Sequence, residues 1–460
     1  MQLKSVTGCV TRASSRHRLL TSHEAKTRLT AKRCLATTSA APPVSTTTRS
    51  HRVVVVGGGS AGSNVSHQLL RSGQFQAGDI AVVDPAEWHH YQPGWTLVGG
   101  GLARKDDFRL RLADIHDPKL TVHRDRVARF EPTENQVVLR GGDRLAYDQL
   151  VVCPGISTNY EQIRGLPEAL ADPRSGVSSI YSYDHCDKVF PGIERLRAGR
   201  AIFTQPAGML KCAGAPQKAM WLALDYWKKA GLYNCGDGPI RISFATGLPV
   251  MFGVPKYSAK LAELAEERGV EALFQHDLVE VRSGSEAVFA RPDGTRVTRR
   301  FDLLHAAPKM GPHRFVAESP LADASTGLVA VDPGTLRHGT HGNVWALGDA
   351  ADLPTSKTAA AITAQAPVLV ANLLDAVKGQ APRAAYDGYT SCPLITEYGK
   401  VLLTEFKYGP EPKETFQRLL GVDQIKPRRA FYHLKKDFFP WVYRKFMVKG
   451  AWAGPKGFIR

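Results

Sequence analysis

Cys212 stands in the stretch Gln205-Pro-Ala-Gly-Met-Leu-Lys-Cys-Ala-Gly-Ala-Pro-Gln-Lys218. A short apolar run, Ala201-Ile-Phe-Thr204, precedes it, and a helical pattern begins near Ala215. A cysteine acts as a nucleophile through its thiolate, which a helix N-terminus or a nearby cation favours. Lys211 adjoins Cys212, and Lys218 follows a short way on. The plainer alternative, an inert buried thiol, is the commoner lot of a lone cysteine. A second candidate is Gly57-Gly-Gly-Ser-Ala-Gly62, in which Gly57, Gly59 and Gly62 fit G-x-G-x-x-G. The first glycine permits a tight turn, the second lets a pyrophosphate approach the backbone, and the third lets helix pack on strand.

Both candidates need a strand before the loop and a helix after it. Arg52-Val-Val-Val-Val56 reads as a buried strand, and a helix is expected from Ser63 to about Leu70. A second strand, Asp79-Ile-Ala-Val-Val83, ends at Asp84, 22 residues after Gly62. That is the place for an acid that takes a ribose hydroxyl. The Cys212 loop departs from this pattern. Gly208 and Gly214 are six apart, and Met209, Leu210 and Lys211 crowd the position where backbone would meet phosphate. After Ile242-Ser-Phe-Ala-Thr246, Gly247 and Gly253 again have the wrong spacing. One dinucleotide and no nicotinamide site are therefore expected.

The bulk composition sets the frame. With 460 residues, 43% of them hydrophobic, the chain can bury a large core in two or three domains. Its net charge of +17 is uneven. Residues 1–50 hold nine Lys or Arg and one acid, Glu24, a net of +8, which leaves +9 for the rest. A Ser-, Thr-, Ala- and Arg-rich, acid-poor start without an apolar h-region reads as a mitochondrial transit peptide or a disordered basic tail. No run of 18 apolar residues occurs, so no membrane-spanning helix is expected. Seven scattered cysteines exclude a secreted disulfide scaffold. The absence of C-x-x-C and H-E-x-x-H argues against a metal site. Cys9 and Cys34 lie in the presequence and Cys235 in a polar turn, and none has an assigned role.

Two later segments extend the first site. Tyr147-Asp-Gln-Leu-Val-Val-Cys-Pro-Gly155 and Asn343-Val-Trp-Ala-Leu-Gly-Asp349 resemble the segments that, with the glycine loop, bind FAD in flavoproteins with two dinucleotide folds. Cys-Pro replaces the usual Ala-Thr before Gly155, and Cys153 there reads as a buried small residue. Lys211-Cys-Ala-Gly-Ala-Pro-Gln-Lys218 and Tyr389-Thr-Ser-Cys-Pro-Leu394 resemble the two active-site cysteine motifs of mitochondrial sulfide:quinone oxidoreductases. His90-Tyr-Gln-Pro-Gly-Trp-Thr-Leu-Val98 and Leu353-Pro-Thr-Ser-Lys-Thr-Ala-Ala-Ala361 belong to the same resemblance, which runs from about Val53 to Ile459.

The resemblance implies that Cys212 and Cys392 form a disulfide or trisulfide beside the isoalloxazine of FAD. Cys392 would carry the persulfide, and Cys212 would bond the flavin at C4a. Electrons would pass to ubiquinone, and sulfur to glutathione, sulfite or cyanide. Ser60, Ala61, Gln92 and Val127 match FAD contacts of the family, Gly348 and Asp349 belong to the second FAD motif, and Lys357 and Thr358 would sit at the flavin N1–O2 end. A third cysteine of bacterial relatives has Tyr181 at its matching position, with Cys186 nearby. His89 and His90 read better as a surface turn or satisfied core residues than as acid–base groups.

In the tail, Phe431, Tyr432, Phe438, Phe439, Trp441, Tyr443, Phe446 and Trp452 alternate with Lys and Arg. Two short amphipathic helices broken near Pro440 would set these aromatics into an acyl boundary, where ubiquinone is dissolved. Nucleic-acid binding is the weaker alternative, since no nucleic-acid module accompanies the tail, and the plain one is an aromatic-rich helix packed as core. The expected fold is α/β, with two Rossmann-like three-layer domains and an amphipathic membrane-attachment segment. The expected organisation is a transit peptide over 1–50, an FAD domain over 51–165 and 325–395, a second domain with Cys212 over 166–324, and a membrane- and quinone-associated segment over 396–460. The location implied is peripheral, on the mitochondrial inner membrane. The rivals are an NADH:quinone oxidoreductase of the same fold and a persulfide carrier or redox sensor without turnover.

Overall fold

The computed structural model describes residues 47–235 and 237–459. The transit-peptide expectation lies almost wholly outside the described residues. The first strand, Thr48–Val56, ends in four valines that are almost fully buried. Such β-branched runs suit a parallel strand covered on both faces. It pairs in parallel with Ile80–Val83 on one side and Arg144–Val152 on the other. Thr121–His123 extends the sheet beyond Ile80–Val83, and Val344–Ala346 joins it beside Arg144–Val152. The antiparallel strands Val127–Glu131 and Gln136–Leu139 complete seven.

A second, five-stranded sheet is parallel throughout: Val177–Ser178, Leu303–His305, Gly199–Gln205, Ile240–Thr246 and Glu271–Phe274. Its helix Ala215–Lys229 buries nearly all of its length, including Trp221 and Trp227. The helix also packs on an antiparallel strand, Thr390–Glu397, which pairs with Lys400–Lys407. Two Rossmann-type α/β units thus adjoin a hairpin that reaches the start of the second unit's first long helix.

One helix among the described residues has the length and hydropathy of a membrane span, and one expectation, that of a break in the tail, is corrected. Helix Ala359–Val377 is long and apolar enough to cross a membrane, with a mean hydropathy of 1.5. It is largely buried, however, and packs on helix Ser60–Arg71 and strand Thr390–Glu397 as a core element. The tail is not broken near Pro440. Helical structure continues from Arg429 to Met447, with π-helical turns at Leu434–Phe438 and Tyr443–Met447. Proline lacks an N–H, and its ring clashes with the carbonyl four residues back. The wider π turn before Pro440 relieves both problems. It also rotates the faces, so Phe431, Tyr432, Lys435 and Tyr443 are buried while Phe438 and Trp441 are exposed.

Candidate active site

Strand Gly199–Gln205 delivers the Cys212 loop, and strand Thr390–Glu397 delivers Cys392. The two sulfurs lie 3.4 Å apart although the residues are 180 positions apart in sequence. That separation exceeds the ~2.05 Å of a disulfide, so no bond joins the two sulfurs here. Lys218, buried in the first turn of helix Ala215–Lys229, points Nζ at both, 3.3 Å from Cys212 Sγ and 3.5 Å from Cys392 Sγ. The hydrogen bond from Cys392, and next the Lys218 charge, hold the Cys212 thiol well below its usual range. Cys392, acting as donor and buried, is pushed well above it. Burial pulls Lys218 down, yet the two sulfurs more than offset this and keep its ammonium charged.

The backbone is built around that contact. Cys212 has φ +51, a left-handed conformation that costs a side-chain-bearing residue roughly 1–2 kcal/mol. Cys212 N donates to the Lys357 carbonyl at 2.9 Å, and Ala215 N donates to the Cys212 carbonyl at 2.8 Å. Helix Ala215–Lys229 has Gly214 as N-cap and no side-chain cap, so its positive end is open toward the cysteines. A Cβ on Gly214 would lie 2.2 Å from Leu394 Cδ2 and 2.7 Å from Cys392 Sγ. Only glycine lets the loop and the Cys392 strand meet, a requirement invisible in the loop itself. Lys435 is another such residue. It sits in the π-helical tail, donates to the Pro93 carbonyl at 2.8 Å, and is brought down to about 7 by burial and then by the Lys218 charge.

The glycine loop forms a different kind of site. Gly57 has φ +100, and a Cβ there would lie 2.7 Å from the Cys153 carbonyl oxygen. A Cβ on Gly62 would fall 1.8 Å from the Gly57 oxygen. Gly59, by contrast, faces open space, as does Gly155 at φ +75. Gly59 is already the N-cap, so the helix starts at Ser60 rather than Ser63, again without a side-chain cap. Asp84 accepts from Gly58 N at 2.6 Å and Ala86 N at 2.8 Å. Beside it His116 is buried with both ring nitrogens unpartnered. Gly348 abuts Ala61, whose Cβ would be 3.3 Å from its own. A small cleft runs past Gly348, Asp349, Lys357, Thr358 and Gln365. Lys357 Nζ donates to the Asp349 carbonyl at 2.7 Å, and burial pushes the Asp349 carboxyl up against the pull of Lys357 and Lys211. Thr358 Oγ1 caps helix Ala359–Val377 through Ala361 N at 3.0 Å. Lys211 turns from Cys212 and donates to Gln92 Oε1 at 3.3 Å. Val127 is buried against the sheet, paired with Leu139.

The pyridine nucleotide-disulphide oxidoreductase family model matches residues 51–193. The mitochondrial sulfide:quinone oxidoreductase of Schizosaccharomyces pombe is 48% identical over 421 residues, covering 87% of this chain and 90% of its own. That of Mus musculus is 41% identical over 389 residues, covering 84% and 83%. The chain belongs to the sulfide:quinone oxidoreductase family. The sulfide:quinone oxidoreductase of Aquifex aeolicus shares the fold, with a TM-score of 0.70 over 86% of this chain and 91% of its own at 16% identity. Enzymes of this mitochondrial sulfide:quinone oxidoreductase family depend on FAD, and FAD is the cofactor here. The open space at Gly59, the uncapped helix start and the unpartnered His116 fit a dinucleotide.

Two other cysteines of the chain are set differently. Cys153 is buried and its thiol pushed up by burial, and Cys186 is pushed up to about 12 for the same reason. Tyr181 donates to the Lys211 carbonyl at 3.2 Å. His89 is buried and bonded to Tyr443, and the His90 ring is tilted against Tyr183 with centroids 5.0 Å apart. Of the tail aromatics, Phe438 and Trp441 are exposed and Phe439 and Phe446 half-buried. Tyr443, expected at a lipid boundary, is instead buried against the glycine loop, because the π turn rotates it inward. A pocket of about 260 Å³ lies there, lined by Tyr91, Phe108, Leu110, Trp441, Tyr443 and Arg444 among others.

Proposed function

We propose that Cys212 and Cys392 form the redox-active sulfur bridge through which this enzyme oxidises hydrogen sulfide. Two electrons then leave by way of FAD to ubiquinone, and the sulfane sulfur leaves to a small acceptor such as glutathione, sulfite or cyanide. The observation that carries the reading is the meeting of two distant cysteine sulfurs on one buried ammonium, Lys218. With the sulfurs bonded, hydrosulfide adds to Cys392 Sγ, the S–S bond breaks, and its electron pair leaves on Cys212. Lys218 and the open helix start lower the energy of that leaving thiolate. Attack by the acceptor on the outer persulfide sulfur frees Cys392, and the two cysteines bond again as two electrons leave. For a thiol acceptor the sum is sulfide, thiol and quinone giving thiol persulfide and quinol.

Bound FAD supplies the two-electron relay between cysteines and quinone. Gly57, Gly59, Ser60, Ala61 and Gly62 would hold its pyrophosphate at the helix start, and Asp84 its ribose. Gln92, Val127, Gly155, Gly348 and Asp349 would line the rest, with Lys357 and Thr358 at the flavin N1–O2 end. We assign the FAD domain to 51–165 and 325–395 and the Cys212 domain to 166–324, with the tail over 396–460 as the peripheral attachment to the inner membrane. The exposed Phe438 and Trp441, with Phe439 and Phe446 packed beside them and Lys436, Arg444 and Lys445 nearby, suit an anionic bilayer surface. The apolar pocket behind Trp441 suits a quinone ring.

The test is an anaerobic visible spectrum before and after one equivalent of sulfide, then after a short-chain ubiquinone. The oxidised flavin band should disappear with sulfide and return with quinone. If sulfide does nothing and NADH bleaches the band, the cysteine reading fails and the nicotinamide reading replaces it.

A further inference from the structure

We infer that Tyr443, carried by the C-terminal helix, is a positioning residue of the FAD cradle that fixes the Ser60 hydroxyl at the start of helix Ser60–Arg71. The Tyr443 hydroxyl lies 2.5 Å from Ser60 Oγ, across 383 positions of sequence, and 2.6 Å from His89 Nε2. The ring is held on two sides, with Tyr91 at 4.5 Å and His89 at 5.8 Å between centroids. The chain beyond it stays on the same part of the molecule. Lys449 Nζ donates to the Asp114 carbonyl at 3.2 Å, and Arg71 Nη2 to the Ile459 carbonyl at 3.2 Å. A Cβ on Gly450 would sit 2.6 Å from Gln68 N, so the tail lies directly on the cradle helix.

The hydrogen-bond sense follows from His89. Burial, reinforced by the charge of His90, pushes it down to about 4, and the Gly58 carbonyl is beside the ring. The neutral tautomer that donates to Gly58 leaves Nε2 to accept from Tyr443. The tyrosine oxygen is then left to accept from Ser60. Ser60 is the first helical residue, next to the glycine cap, so its hydroxyl stands beside the free N–H groups of the first turn. Those N–H groups are what a phosphate needs. Tyr443 fixes which way that hydroxyl turns, and the glycine cap leaves the N–H groups themselves free.

The inference rests on the cradle assignment above, and a mutant cycle separates the two. FAD affinity is read by fluorescence quenching on reconstitution of apoprotein, with melting of each apoprotein to check its fold. Tyr443→Phe should raise the FAD dissociation constant roughly tenfold. In a Ser60→Ala background the same change should have no further effect, because the hydroxyl it restrains is gone. An equal loss in both backgrounds means a merely structural tyrosine and overturns the inference. FAD loss in Ser60→Ala but not in Tyr443→Phe overturns it and leaves the cradle standing. No loss in either variant removes Ser60 from the cradle as well. His89→Leu, which releases the tyrosine hydroxyl without removing it, should lose part of the same affinity. Unchanged affinity there counts against the inference even if Tyr443→Phe does not fold.

Discussion

Helices Ser60–Arg71 and Ala215–Lys229 each follow a strand with parallel neighbours on both sides, each begins at a glycine, and neither has a side-chain cap. At Gly59 the space beyond the cap is open, whereas at Gly214 it is filled by Leu394 and the Cys392 sulfur. The positive end of a helix favours any anion. In the first unit it is left open for one that diffuses in, and in the second it is closed on a thiolate belonging to the chain. A Rossmann-type turn is thus a generic anion site, and its glycine spacing decides whether a ligand or a side chain of the chain itself occupies it.

Four substitutions would break or sharpen that contrast. Cys212→Ser or Cys392→Ser should retain FAD and lower sulfide-dependent flavin reduction about a thousandfold or more, measured anaerobically by stopped flow. Near-normal turnover in either variant would sink the closed-site half. Gly59→Val should leave the apoprotein melt unchanged, since its side chain enters open space, while FAD affinity falls about a hundredfold. Retention of FAD would show that the pyrophosphate lies elsewhere. Lys218→Met should have the smallest effect, about tenfold at neutral pH. Cys212 loses a charge that depresses its pKa, so the rate of its alkylation should shift to higher pH and recover there. An unshifted profile would mean that the Cys392 hydrogen bond alone sustains the thiolate.

What could be read from the chain follows how local each requirement is. The valine run, the glycine spacing and Asp84 lie within one strand–loop–helix–strand unit, and the strands and first helix lie there, the helix starting three residues earlier than read. The pairing of Cys212 with Cys392 was legible through family resemblance alone, because no local signal links residues from two separate sheets. The tail misled for a physical reason. Aromatics alternating with cations read as an amphipathic surface at the α period, but the π turns shift that period and carry Lys435 and Tyr443 inward. The need for glycine at 214 comes from the strand facing it, so it too required the tertiary contact.

The bond between Ser60 and Tyr443 also has a bearing on biogenesis. Chains emerge and fold from the N-terminal end. The loop that grips the cofactor is among the first segments made, and the tyrosine that completes it is among the last. Flavin loading therefore becomes a finishing step, taken once the whole polypeptide is present. A product truncated before residue 443 would own every glycine of the motif and still hold its flavin loosely, so tight retention reports a chain made at least through Tyr443.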